Sequence, residues 1–139
     1  MGSSTVRKVT PVLVVDEIEP VVGFWRKLGI EPGVEVPGSG GLVFAIFTAE
    51  GVEVMYQTAA SVREDLVAAA SAPQAFRGEP QQATLYVEVQ SLADVEEQLQ
   101  GERLVMPRRT TFYGATEVAY TDPAGNVIVF AQRVADSGQ

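Results

Sequence analysis

The chain has no cysteine and no histidine among its 139 residues. Without cysteine there are no disulfides, no thiolate nucleophile and no thiolate metal site, and a reducing compartment is compatible with the sequence. Without histidine the imidazole ligand of most transition-metal sites is missing too. Positive charge is scarce: 10 Lys and Arg stand against 18 Asp and Glu, a net charge of −8 at pH 7. Phosphate backbones and anionic membranes are held by clustered Lys and Arg, so neither nucleic acid nor a membrane surface is an expected partner. No apolar run approaches the roughly 20 residues needed to span a bilayer. Arg7 and Lys8 do precede an apolar run, but Pro11 interrupts it, Asp16 and Glu17 end it, and no small-residue cleavage site follows. The sequence reads as cytoplasmic.

What is present is enough apolar material, 46% of residues, to bury a sizeable core in one domain or in two small halves. Residues 119–130 (AYTDPAGNVIVF) read as strand, tight turn and strand: Pro123 fixes φ, and Gly125 and Asn126 tolerate positive φ between two β-branched and aromatic runs. The stretch has an echo. Residues 51–56 (GVEVMY) lie 74 positions before 125–130 (GNVIVF), and residues 9–18 (VTPVLVVDEI) lie the same distance before 83–92 (ATLYVEVQSL). Two separate matches at one offset point to a duplicated unit.

In chain order, 6–15 reads as a strand with Thr10, Val12 and Val14 on one face. Asp16 and Glu19 form a capping-box pattern ahead of a helix in which Ile18, Val21, Val22, Trp25 and Leu28 make one apolar stripe ending at Gly29. That helix is expected to pack on the first strand, with Trp25 in the core. Strands follow at 30–37, 42–48 and 52–58. Gly38 to Gly41 forms a hairpin loop, because strands and not a helix start flank it. Glu53, Met55 and Gln57 share a face of the last of these strands. Ser61 and Glu64 pattern as a second capping box, opening a helix through Val62, Leu66, Val67 and Ala70 that Pro73 should end. Residues 72–82 suit a linker. The pattern then restarts with a strand at 83–89, whose Thr84, Tyr86 and Glu88 share a face. A helix capped by Ser91 with Asp94 comes next, then strands at 103–109, 114–121 and 126–132. Each half is thus strand, helix and three strands. The reading is one domain, 1–139, with module one at about 6–58, a connecting helix and linker at 59–82, and module two at about 83–133. Each module must bury one sheet face under its helix, and two copies can pair to leave a concave face between them.

This order, with FWRKLG at 24–29 and DPAGN at 122–126, resembles the vicinal oxygen chelate superfamily of glyoxalases, bleomycin resistance proteins and extradiol dioxygenases. The resemblance covers nearly the whole chain. It implies an α+β fold of two βαβββ modules forming a curved mixed sheet with helices on the outer face. Metal-dependent members carry ligands on the first, fourth, fifth and eighth strands, positions that fall here on Thr10, Met55, Thr84 and Val129. None is a carboxylate or an imidazole, so no metal and no cofactor is expected. A homodimer is expected as well, because family members commonly pair modules across subunits and a half-covered face rich in Val and Ile is costly in water.

Strand parity turns Glu53, Glu88 and Glu117 inward, although lone acids are rarely buried and the cavity rim is their expected place. If they are inside, a cationic or amine-bearing ligand would offset their desolvation. Arg108 and Arg109, ahead of the 110–113 loop, are candidates to face an anionic group. Since the ligand positions are lost, the resemblance implies a metal-independent small-molecule binding protein of the antibiotic-binding, bleomycin-resistance type. Its expected pocket lies between the modules and is lined by Thr10, Met55, Gln57, Thr84, Tyr86, Glu88, Phe112, Tyr113 and Val129, with Glu88 as the main polar group. The alternative is a metal-independent lyase or isomerase, with Glu88 or Glu53 as general base and Tyr86 or Tyr113 as acid. A blander third reading is a stress or regulatory domain whose pocket is vestigial.

Overall fold

Strands rich in Val, Ile, Phe and Tyr alternate with short helices in a computed structural model that describes residues 5–68 and 82–133. The elements are β1 (Val12–Val15), α1 (Glu19–Lys27), β2 (Pro32–Gly38), β3 (Gly41–Ala49), β4 (Val52–Thr58) and α2 (Ala59–Ala68), then β5 (Thr84–Glu88), α3 (Leu92–Gln98), β6 (Leu104–Thr110), β7 (Ala115–Thr121) and β8 (Val127–Arg133). Two βαβββ modules are therefore present in an α+β fold, and each forms a mixed four-stranded sheet. The strand orders are β1-β4-β3-β2 and β5-β8-β7-β6. In both, the first strand of the module runs parallel to the last and the other pairings are antiparallel.

The two sheets repeat each other in register. Val12 pairs with Met55 on β4, and Tyr86, 74 residues beyond Val12, pairs with Val129, 74 beyond Met55. On the third strands the offset slips to 73, since Ile46 pairs with Met55 while Ala119 pairs with Val129. The covered faces keep the likeness: Phe47 and Tyr56 meet edge to face at 5.8 Å and 90°, and their counterparts Tyr120 and Phe130 at 6.2 Å and 68°. All four rings are buried, and such pairs add roughly 0.5–1.5 kcal/mol beyond their area burial.

By backbone neighbours the chain forms two compact units. One holds β1 to β4 with α2, and the other holds α1 together with β5 through β8 and α3. In the first unit α2 packs on β1, β3 and β4; in the second α3 packs on β7 and β8. The grouping of α1 with the second unit departs from the expectation that it covers the first strand. Lys27 at its C-terminus contacts the Glu102 carboxylate of the α3–β6 turn at 2.5 Å. Val21, Val22, Phe24 and Trp25 are buried, so Trp25 is core. Periodicity identifies a helix's apolar face, not the sheet that receives it.

Several local readings change. The first strand is shorter than 6–15: Val6 and Val9 are exposed, and pairing reaches back from Val12 only to the Pro11 carbonyl, which accepts Met55 N–H at 2.9 Å. Helix α1 begins at Glu19 with Pro20 in its first turn, where a missing N–H costs nothing, so Asp16 is not its cap. Its end is as expected, with Gly29 at φ 81° and the Ile30 and Gly29 N–H groups donating to the Trp25 and Arg26 carbonyls in a Schellman motif. Helix α2 starts ahead of Ser61: the Thr58 hydroxyl accepts Ser61 N–H at 3.2 Å and takes the capping role, while the Ser61 hydroxyl accepts from Gln57. Ser91 caps α3 as expected, accepting Asp94 N–H. The linker at 72–82 and the stop at Pro73 lie outside the described residues, Gln82 excepted.

Candidate functional site

The parallel pair β5 and β8 is fastened by the turn that precedes β8. Asp122 and Asn126 are buried there, and the Asp122 carboxylate accepts the N–H groups of Ala124 and Asn126 at 3.0 and 2.9 Å. The Asn126 amide donates back to Asp122 at 3.0 Å, and its carbonyl oxygen accepts Ala83 N–H at 2.8 Å across to the start of β5. Gly125 sits at φ 92°, a conformation that disfavours any residue with a Cβ. This network fixes the register that sets Tyr86 beside Val129 and Glu88 beside Ala131.

On the open face of this sheet the register aligns Glu88, Ala131, Glu117 and Arg109 across β5, β8, β7 and β6. Ala131 is small, and with Ala115 it leaves a shallow cleft of about 40 Å³ whose other walls are Tyr86, Glu88, Tyr113 and Arg133. Under its edge lies Glu117, with a side chain only 1% exposed. Its carboxylate accepts the Tyr86 hydroxyl at 2.6 Å, the Tyr113 hydroxyl at 2.5 Å and the Arg109 guanidinium at 3.1 Å. The cover is one side chain deep, because Tyr86 and Tyr113 are themselves half exposed.

Burial pushes the Glu117 carboxyl up, but the hydrogen bonds from Tyr113, Tyr86 and Arg109 together outweigh it and hold the group below the usual carboxylate range. The partner effect is opposite in sign: the bond to Glu117, helped by burial, pushes the Tyr86 phenol well above its ordinary value. Glu117 is therefore an anion, and the Tyr86 phenol beside it stays protonated. The expectation that the inward acids sit at a watery rim fails for Glu117, because a hydrogen-bonded guanidinium and two phenols compensate a burial that a lone acid would not survive. Glu88 does lie at the rim, 59% exposed and 3.6 Å from the Arg133 guanidinium.

The other sequence candidates divide between the units. In the second, Thr84 is exposed and Val129 half-buried. Phe112 is 99% exposed at the tip of the β6–β7 loop, edge-on to Tyr113 at 5.2 Å. Thr111 closes that loop, its hydroxyl and backbone exchanging hydrogen bonds with Ala115. In the first unit, Thr10, Met55 and Gln57 are half-buried. Thr10 donates to the Glu53 carboxylate at 2.7 Å, and Lys8 pairs with it at 2.8 Å. The bonds from Lys8 and Thr10 hold Glu53 below the carboxylate range. Arg108 and Arg109 are already matched, the first with Glu96 through two nitrogens and the second with Glu117. Arg133 had no place in the sequence reading; its only signal there is its position two residues past Ala131 on one face.

The metal positions of the resembled family do not fit a metal here. Thr10 and Thr84 offer neutral hydroxyls, Met55 a thioether and Val129 no donor at all. Among the described residues no three Asp or Glu side chains gather in a group that could hold an ion. The Glu117 oxygens are taken up by phenols and a guanidinium.

No family model matches the chain, and no curated protein matches it. Solved structures do. A glyoxalase/bleomycin resistance protein/dioxygenase from Nocardioides superposes with a TM-score of 0.67 at 19% identity, over 95% of this chain and 87% of that one. TioX from Micromonospora sp. ML1 gives 0.65 at 18% identity, over 91% and 98%. A lactoylglutathione lyase from Agrobacterium tumefaciens gives 0.66 at 19% identity, over 91% and 92%. At such identities the likeness is one of fold. The chain carries the vicinal oxygen chelate fold, that of the glyoxalase, bleomycin resistance and dioxygenase proteins.

Proposed function

We propose that the protein binds a small organic molecule without a metal, on the open face of the β5–β8 unit. The cleft of about 40 Å³ seats one functional group of the ligand, and the exposed rings of Tyr86, Tyr113 and Phe112 offer stacking area for a flat remainder. Binding of the antibiotic-sequestering kind needs shape and aromatic surface but no acid–base pair. The observation that carries the reading is the Glu117 cluster. A general base works best with a pKa near the operating pH. Glu117 is instead held low by Tyr113, Tyr86 and Arg109, and Tyr86 is driven high by Glu117, so the pair is a poor base and a poor acid. This supports a binding role over a lyase or isomerase.

The test is a thermal-shift and dye-displacement screen of diverse small molecules, run with a chelator and repeated with added divalent ions. Hits should shift melting equally in both. Replacing Tyr86 by Ala should weaken them by about 1–3 kcal/mol, the scale of burying a large side chain. Turnover of any hit that requires Glu88 or Glu53 would instead support the enzyme reading. A homodimer in cytoplasm completes the proposal, supported by exposed Val34 and Val36 on β2 and Leu104 and Val105 on β6.

A further inference from the structure

Hydrogen-bond direction in the cleft selects its ligand. A phenol has one proton to donate, and both Tyr86 and Tyr113 spend theirs on Glu117, which as an anion can only accept. What the two hydroxyls can still offer is lone pairs. Glu88, on the same wall, is also an acceptor, and among the described residues its partner is Arg133 at 3.6 Å, too long for a hydrogen bond. Ala115 and Ala131 contribute no polar side-chain atoms. Arg133 is the donor among the lining side chains, and it is 58% exposed at the mouth; Arg109 donates to Glu117.

Resting on the binding reading above, we infer that the cleft receives a protonated amine carried on a flat, aromatic molecule. An ammonium group brings three donors and no acceptor, the complement of two phenol oxygens and a carboxylate, and its charge is attracted by the faces of the tyrosine rings. The net charge of −8 draws a cation toward the protein at long range. A carboxylate ligand has only Arg133 at the mouth to meet it and otherwise faces acceptors with acceptors.

Three probes that share one ring system and differ in the head group test this: 1-naphthylmethylamine, 1-naphthalenemethanol and 1-naphthoate, titrated by fluorescence and located by amide chemical shifts. The amine should bind about tenfold tighter than the alcohol, as expected for hydrogen bonds to a charged group, and naphthoate weakest. Shifts should centre on Glu88 and Ala131. The preference should fade in the wild-type protein as pH rises through the amine's own pKa, a readout that needs no variant. It should also shrink in Tyr86→Phe and Tyr113→Phe, which keep each ring and remove its oxygen. If none of the three shifts these amides, the binding reading fails and the inference with it. If they bind there with the alcohol or naphthoate equal to or better than the amine, the inference alone is overturned.

Discussion

Glu117 sits 1% exposed with three donors on two oxygens, so its replacement is a test of stability as well as of binding. Glu117→Gln removes the charge that orients both phenols and Arg109, and should cost about 1–3 kcal/mol at neutral pH, the range for a buried polar group left mismatched. The pH dependence follows from the direction of the shift. The folded pKa lies below the usual 4.5, so the unfolded chain takes up this proton first and the stabilisation is lost as pH falls from about that value through the folded one. Urea midpoints of wild type and Glu117→Gln should therefore differ most near neutrality and converge in acid. Tyr86 behaves in the opposite sense: its folded pKa is raised above the usual 10.0, so its contribution is full below that value and is lost as pH rises above it. Tyrosinate absorbance should show Tyr86 resisting ionisation in wild type and titrating earlier in Glu117→Gln. Parity along β5 already placed Tyr86 and Glu88 on one face, and parity along β7 turned Glu117 the same way. Its burial was not legible, because Arg109 comes opposite Glu117 only after a register shift between Met106 and Arg109.

Among the elements, the turn from Asp122 to Asn126 and the start of α2 show what sequence patterns carry and what they miss. The turn was readable from Pro123, Gly125 and Asn126, since each has a local conformational reason to be there. What the pattern could not give is its reach to β5 through Ala83. Asn126→Ala should leave the half-buried Ala83 N–H without its acceptor and cost about 1 kcal/mol in urea unfolding. Gly125→Ala forces a Cβ into φ 92° and to 3.3 Å from the Gln82 side chain, and should also destabilise. At α2 the Ser61–Glu64 pattern pointed to a cap three residues past the one the fold uses, Thr58. In the fold, Ala59 and Ala60 extend the helix backward at little cost, and Thr58→Val should remove about 1 kcal/mol by losing the cap, where Ser61→Ala should not.

For the whole molecule, the repeat legible at offset 74 became two sheets with one strand order, down to matched aromatic pairs on their covered faces. The open faces diverged. Where the second unit has Tyr86, Ala131 and Glu117, the matching places in the first are Val12, Gln57 and Phe44. Covered faces answer to packing, which one pattern satisfies twice, whereas an open face is free to specialise. Strand parity assigns residues to the open face of each unit but offers nothing to choose between the two units. A sedimentation experiment at micromolar concentration should find a dimer, and a monomer would count against that part of the proposal. The most direct measurement of the central claim is amide chemical-shift mapping of a screening hit in the presence of chelator, on wild type and on Ala131→Val, which narrows the cleft and removes none of the groups that hydrogen-bond Glu117. The account predicts saturable shifts at Tyr86, Glu88, Tyr113 and Ala131 without metal, and their loss in the variant. Binding that requires a divalent ion, or shifts that leave this face untouched, would contradict it.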